Sequence, residues 1–215
     1  MGDDQAVPAL ISGAPLYWQV QSQAVENFMV PPGEEWSRYC RKLQDTMPSA
    51  TIIQITRIQN KIIWERYSEE RKRLCVKNRG VVNELELFHG CRRTDPLNIS
   101  NSEEGFDVRH SRGGSWGFAN YFAINASYSD KYAYCTPQGE REMLVAKVIL
   151  GEIFDCGEKK DNTLRIPPVK GLQSAPLNLV NVRYDSISGL SRNSRIYMTY
   201  DNNKAYPAYI IKYTS

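Results

Sequence analysis

Histidine, paired cysteines and long apolar runs are scarce in this chain of 215 residues, and each scarcity removes a class of function. Two histidines, His89 and His110, cannot build a histidine-rich metal site, and no HExxH or CxxC supplements them, so no metal is expected. The five cysteines, Cys40, Cys75, Cys91, Cys135 and Cys156, lie far apart and are odd in number. That suits neither a disulfide framework nor a zinc ligand set. It predicts reduced, mostly buried thiols and an intracellular setting, cytoplasmic or nuclear. No apolar run approaches the ~20 residues of a membrane-spanning helix, so no membrane partner is expected. Met1-Gly2-Asp3-Asp4 has neither the basic start nor the apolar stretch of a signal peptide. A net charge of +3, evenly spread, gives no reason to expect nucleic acid as a partner. No GxGxxG follows a strand, and neither a phosphate-binding GxxxxGK[ST] nor a GxSxG elbow occurs.

What is present is a globular composition, 41% hydrophobic and 24% charged, on a length that fits one domain with a short extension. Residues 1–33, punctuated by Pro8, Pro15, Pro31, Pro32 and Gly33, read as an N-terminal extension, and residues 34–215 as the domain. Trp36, Tyr39, Cys40 and Leu43 recur at helical spacing over Glu34–Met47, and Pro48 stops that helix. Thr51–Ile58 alternates as a strand, and Lys61–Lys77 returns to a helical period with Ile62, Trp64, Tyr67 and Leu74 as its core stripe. Beyond Asn83, strands are expected at Glu86–His89, Gly117–Ala123, Met143–Phe154, Arg195–Tyr200 and Tyr206–Tyr213. Two long irregular stretches separate them, Asn98–Trp116 and Glu158–Gly189, of a length that usually serves function. Strands outnumber helices without alternating with them, which predicts an α+β fold and not a doubly wound parallel sheet.

His89 closes an apolar strand (Leu85, Leu87, Phe88) and is followed by Gly90. That dipeptide sets an imidazole beside a main chain that a ligand can approach closely. Alone, it fits a core histidine beside a turn glycine better, and Tyr121, Tyr128 and Tyr132 alone fit an ordinary aromatic core. Taken in order, the motifs say more. Leu87-Phe88-His89-Gly90-Cys91 resembles the first motif of ADP-ribosyltransferase catalytic domains of the poly(ADP-ribose) polymerase type. Gly117-Phe118-Ala119-Asn120-Tyr121-Phe122-Ala123 is similar to that family's G-x-G-x-Y-F-A motif, with Ala119 for the second glycine. Ser127-Tyr128-Ser129-Asp130-Lys131-Tyr132 follows at the family's spacing. Arg195-Ile196-Tyr197-Met198-Thr199-Tyr200-Asp201 and Lys204-Ala205-Tyr206-Pro207 resemble its third motif and the continuation found in the mono-ADP-ribosylating, His-Tyr-Ile branch. The likeness runs from about Trp36 to Tyr213.

The resemblance implies a split antiparallel sheet with NAD, as co-substrate, in the cleft between its halves. Nicotinamide would leave through an oxocarbenium-like transition state, which needs a rigidly held leaving group and a tolerated sugar cation. By the same likeness, Gly90 would offer its backbone to the nicotinamide carboxamide and Ser129 a third hydrogen bond. Tyr132 would stack on the pyridinium, with Tyr128 beside it and Tyr121 packed on the opposite side. His89 would reach a ribose hydroxyl and position the substrate without acting as general base. Asn98–Trp116 falls at the family's donor loop, making Arg92, Arg93, Arg109 and Arg112 candidate phosphate partners, with Arg109 placed among the cofactor-binding residues. Tyr184–Gly189 falls at the acceptor-side loop.

Two departures bear on the reaction. Polymer-forming members carry glutamate where this chain has Ile196, which can neither bind a ribose hydroxyl nor activate an incoming sugar. A single ADP-ribose is therefore expected to pass to a protein side chain, the chain itself among the acceptors, from a monomeric enzyme. Cys91 stands where the family has serine or threonine, and a thiol is the poorer hydrogen-bond partner. These departures leave two alternatives, a weak or silent NAD- or ADP-ribose-binding module and a nucleic-acid ADP-ribosyltransferase.

Overall fold

Periodicity becomes architecture as follows, in a computed structural model that describes residues 13–171 and 181–215. In chain order the elements are β1 (Val25–Met29), α1 (Glu34–Gln44), β2 (Thr51–Asn60), α2 (Lys61–Lys77), β3 (Glu84–His89), α3 (Pro96–Ser100), β4 (Asn120–Ala123), α4 (Ala126–Asp130), β5 (Tyr134–Cys135), β6 (Arg141–Ile149), β7 (Ile153–Asp155), β8 (Ser186–Ser191), β9 (Ser194–Thr199) and β10 (Ala205–Thr214). One sheet takes all ten strands in the order β1-β2-β10-β6-β3-β4-β9-β8-β7, with β5 hairpinned onto β6. The fold is α+β.

Every strand pair is antiparallel except β7 with β8. A parallel pair needs a crossover of a dozen residues or more, and the connection from 156 to 185 supplies it. The sheet is split where β3 meets β4, since one residue pair, Phe88↔Ala123, is the whole join. His89 and Gly90 lie at that split.

β6 is central and buries both faces. Met143, Val145 and Ile149 enter one apolar cluster, while Leu144, Ala146 and Val148 enter another. The first cluster packs under α1 and α2 through Tyr39, Leu43, Tyr67 and Leu74. The second holds Leu87, Cys91, Phe106 and Phe122. A third lies on the far half of the split, where Trp116, Ala123, Ile187, Ile196 and Met198 meet.

Several boundaries differ from expectation, each for a physical reason. α1 ends at Gln44 and not Met47: a residue before proline is driven out of the helical region, and Met47 instead turns into the core. In α2 the buried stripe is Ile63, Tyr67, Glu70 and Leu74, while Ile62 faces outward; the capping Asn60, whose side chain accepts from Ile63 N, fixes that rotation. Met143–Phe154 is two strands, broken where Leu150 and Gly151 turn back to bond Asn83 and Val82.

The segment Tyr184–Gly189 is not an acceptor-side loop. Ser186–Ser191 is strand β8, with Ile187 opposite Met198 and Gly189 opposite Ile196. Ser-Ile-Ser-Gly reads as turn composition, but burial on both faces overrides propensity. Residues 172–180 of the crossover that precedes it lie outside the described residues. Of the cysteines, Cys91 alone is buried, Cys135 is exposed and the others are half-buried, all five as free thiols.

The stretch read as an extension contributes structure as well, although residues 1–12 lie outside the described residues. β1 forms the sheet edge beside β2. Ahead of it Trp18 sits 5.5 Å from Trp64 and 6.0 Å from Tyr206 between ring centroids. Gln59, fully buried, donates to Gln19 O and Gln21 Oε1 while its own Oε1 accepts from Gln19 N. No described helix is long and apolar enough to cross a membrane.

Candidate active site

β3 ends by delivering His89 into the split. Its ring is wedged against Phe106 and Phe122, with centroids 5.1 and 5.5 Å away. Nδ1 lies 2.7 Å from the Tyr121 carbonyl oxygen, so Nδ1–H donates and the neutral ring presents Nε2 as an acceptor. Burial pulls the His89 pKa below its ordinary value near 6.5, more strongly than the Tyr121 bond raises it. A neutral imidazole with a free Nε2 lone pair suits a sugar hydroxyl.

Gly90 is needed for a reason internal to the protein. A Cβ there would stand 2.5 Å from Ser129 O and from both C and O of Tyr132. The glycine thus lets the β3 terminus nest against the α4 turn, and Arg92 N–H fastens it by donating to Tyr132 O at 2.7 Å. One rigid unit therefore carries the Gly90 backbone, Ser129 and Tyr132. Ser129 is buried on α4. Tyr128 and Tyr132 lean together with ring centroids 5.7 Å apart.

Tyr121 rises from β4 on the sheet face that also carries Ile196 and Met198, by register. Its hydroxyl accepts from Trp116 N at 3.0 Å and donates to Gly117 O at 2.8 Å, so it pins the C-terminal end of the Asn98–Trp116 stretch. Burial first of all pushes its pKa up to about 12. Ile196 is 1% exposed. Across from it, a Cβ on Gly189 would fall inside the Trp116 indole. Trp116 is itself held by Nε1–H donating to Lys159 O and by its carbonyl accepting from Tyr200 Oη. The third position is thus walled by apolar side chains. Trp116 and Gly189 line this position and were missed by sequence reasoning, because a tryptophan at a loop end and a glycine within a strand carry no signal until register brings them together.

Arg109 stands apart from the others. Its guanidinium is paired with Asp107 at 2.8 Å and Glu104 at 3.6 Å on its own loop. The Arg109 bond, ahead of those from its backbone and Asn202, draws the Asp107 carboxyl down to about 2. Asn202 also accepts from Val108 N at 2.9 Å, anchoring the base of the loop. Cys91 lies in the apolar cluster with Leu87 and Phe106, and burial pushes its thiol pKa up. Among the described residues no group of three or more His, Cys, Asp or Glu side chains is arranged to hold a metal.

Residues 33–215 match the family model described as the poly(ADP-ribose) polymerase catalytic domain. The chain belongs to the poly(ADP-ribose) polymerase catalytic-domain family. Among its relatives is a probable poly [ADP-ribose] polymerase of Dictyostelium discoideum, 34% identical over 93% of this chain and 57% of that protein. Two human relatives are named protein mono-ADP-ribosyltransferases. PARP14 is 29% identical over 93% of this chain and 11% of its own length, and PARP12 is 27% identical over 94% and 28%. The chain thus spans between about a tenth and just over half of these relatives. For a domain of this family the cradle fits NAD: a fixed-tautomer imidazole, a clamped glycine main chain beside a buried serine, and two tyrosines converge at the split.

Proposed function

We propose that the chain transfers a single ADP-ribose from NAD to a protein side chain, releasing nicotinamide. NAD supplies the scissile nicotinamide–ribose bond. The Gly90 backbone and Ser129 hydroxyl orient the carboxamide, Tyr132 stacks on the pyridinium, and Tyr121 closes the opposite side while bracing the donor loop. His89 Nε2 accepts from a ribose hydroxyl and holds the sugar in place. Holding the reacting groups in one productive geometry can supply a large share of the barrier lowering. Arg109, paired with two carboxylates, reaches a phosphate only by leaving them.

The observation that carries the single-unit outcome is Ile196, fully buried against Ala123, Met198 and the Trp116 wall. Nothing there can bind the nicotinamide-ribose hydroxyl or activate an incoming sugar hydroxyl. The relatives' names divide between poly and mono, and Ile196 favours the second. Free thiols support an intracellular, cytoplasmic or nuclear setting. Self-modification and a monomeric state belong to the same reading.

The test is incubation of the purified protein with NAD, followed by intact mass and released nicotinamide. Discrete additions of one ADP-ribose unit with matching nicotinamide are expected. Ladders of polymer would overturn the single-unit reading. A chain that NAD stabilises against heat, yet that releases no nicotinamide, would be a binding module.

A further inference from the structure

Arg92 is in an unusual place for a surface arginine. It is exposed and adopts a left-handed backbone, φ +58°, which a side chain other than glycine adopts at a cost. That conformation aims its N–H at Tyr132 O and sets its guanidinium 4.6 Å from the centre of the Tyr132 ring. It makes no ion pair with a carboxylate among the described residues, so its charge is not neutralised. Arg192 adds positive potential at the same tyrosine; both pull the Tyr132 hydroxyl down, against burial and Tyr128, which raise it.

A ring has two faces, and Arg92 covers one. We propose that Arg92 backs Tyr132 as a positioning residue whose charge, felt through the ring, disfavours a cationic pyridinium on the other face and favours the neutral nicotinamide it becomes. The inference rests on the reading above that Tyr132 stacks on the nicotinamide. When the C–N bond breaks, its electron pair goes to the ring nitrogen, so the pyridinium charge is lost from the stack and appears on the ribose. A guanidinium behind Tyr132 therefore opposes the ground state more than the state in which the leaving group is departing. Coulomb repulsion between unit charges roughly 8 Å apart, weakened by an exposed setting, amounts to about a three- to tenfold change in affinity.

The experiment compares the full chain with Arg92→Gln and Arg92→Asn, the latter keeping a residue that tolerates positive φ should the former unfold. Calorimetry measures binding of NAD and of NADH, whose dihydronicotinamide ring is uncharged, and single-turnover assays measure nicotinamide release. Both variants should bind NAD about three- to tenfold more tightly, bind NADH as before, and release nicotinamide more slowly by a similar factor. Equal changes for NAD and NADH would show a merely structural brace and overturn the proposal. Tighter NAD with an unchanged release rate would show that Arg92 simply obstructs the ring, which also overturns it. If the unaltered chain binds neither nucleotide, the reading of the site fails first, and the proposal falls with it.

Discussion

Asp185 precedes β8 and is 2% exposed, yet its carboxylate ties together three parts of the fold. Lys77 Nζ at the end of α2 donates to Oδ1, Asn78 Nδ2 donates to Oδ2 at 2.7 Å, and Glu152 N–H donates to Oδ2 at 2.9 Å. Its carbonyl oxygen takes a further bond, from the buried Lys204 Nζ at 2.6 Å. Replacing Asp185 with alanine strands Lys77, Asn78 and a backbone N–H at once. Removing one partner of a buried, hydrogen-bonded charge pair typically costs about 3–5 kcal/mol. For a chain of this length that corresponds to a fall in melting temperature of about 6–20 °C. Asp161→Ala is the control: its carboxylate bonds only Thr163 two residues on and is exposed, so its cost should stay within about 0.5 kcal/mol. Guanidinium unfolding of both variants, with a Lys77→Met double-mutant cycle, reads the coupling. An Asp185→Ala loss under about 1 kcal/mol, or no coupling to Lys77, would refute the claim that this carboxylate ties the end of α2 and the turn before β7 to the start of β8.

Other outcomes follow from the site. Gly90→Ala forces a methyl group onto the Ser129 and Tyr132 backbone; overpacking of this kind costs about 1–3 kcal/mol or more, and NAD binding should be lost well before the fold, as parallel calorimetry and circular dichroism would reveal. Ile196→Glu should not produce polymer, because a carboxyl buried among Ala123, Met198 and Trp116 is desolvated and stays protonated; long chains on a denaturing gel would contradict this. Because burial depresses the His89 pKa, the histidine contributes full stability above its unfolded value near 6.5, and that stability is lost as pH falls from there towards the folded value. NAD affinity should accordingly be flat between about pH 7 and 8 and decline only in acid. A midpoint at or above 6.5 in the binding profile would place His89 in a more open environment than the structure gives it.

Where local periodicity decided the outcome, the sequence was readable. Lys61–Lys77 came out with both ends, because Asn60 caps it and its charge pattern is unambiguous. The motifs around His89, Tyr121 and Tyr132 were readable as a family likeness, and the split between β3 and β4 places them together. What stayed hidden depends on register. β8 looked like a loop because serine and glycine flank its one isoleucine, and only its partners Met198 and Ile196 make it a buried strand inside the β7 edge. Gly90 was read for a main chain that a ligand can approach; that its missing Cβ also lets the Ser129 and Tyr132 backbone pack close depends on register and was not legible. Arg109 was read as a candidate phosphate partner; its pairing with Asp107 and Glu104 on the same loop was not legible. Arg92 was grouped with the phosphate partners, and no pattern in the sequence could have shown a tyrosine forty residues later beneath its guanidinium.

The Trp18 contact carries a practical meaning for where this fold begins. The family model starts at residue 33, but burial starts earlier. A chain trimmed to that start would bare the long edge of β2, strip the cover from Trp64 and Tyr206, and leave the amide of Gln59 with neither Gln19 nor Gln21. An exposed, apolar strand edge is a template for unwanted pairing between molecules. The twenty described residues ahead of the family model's start act here as a hem, and the sheet would fray and stick without them.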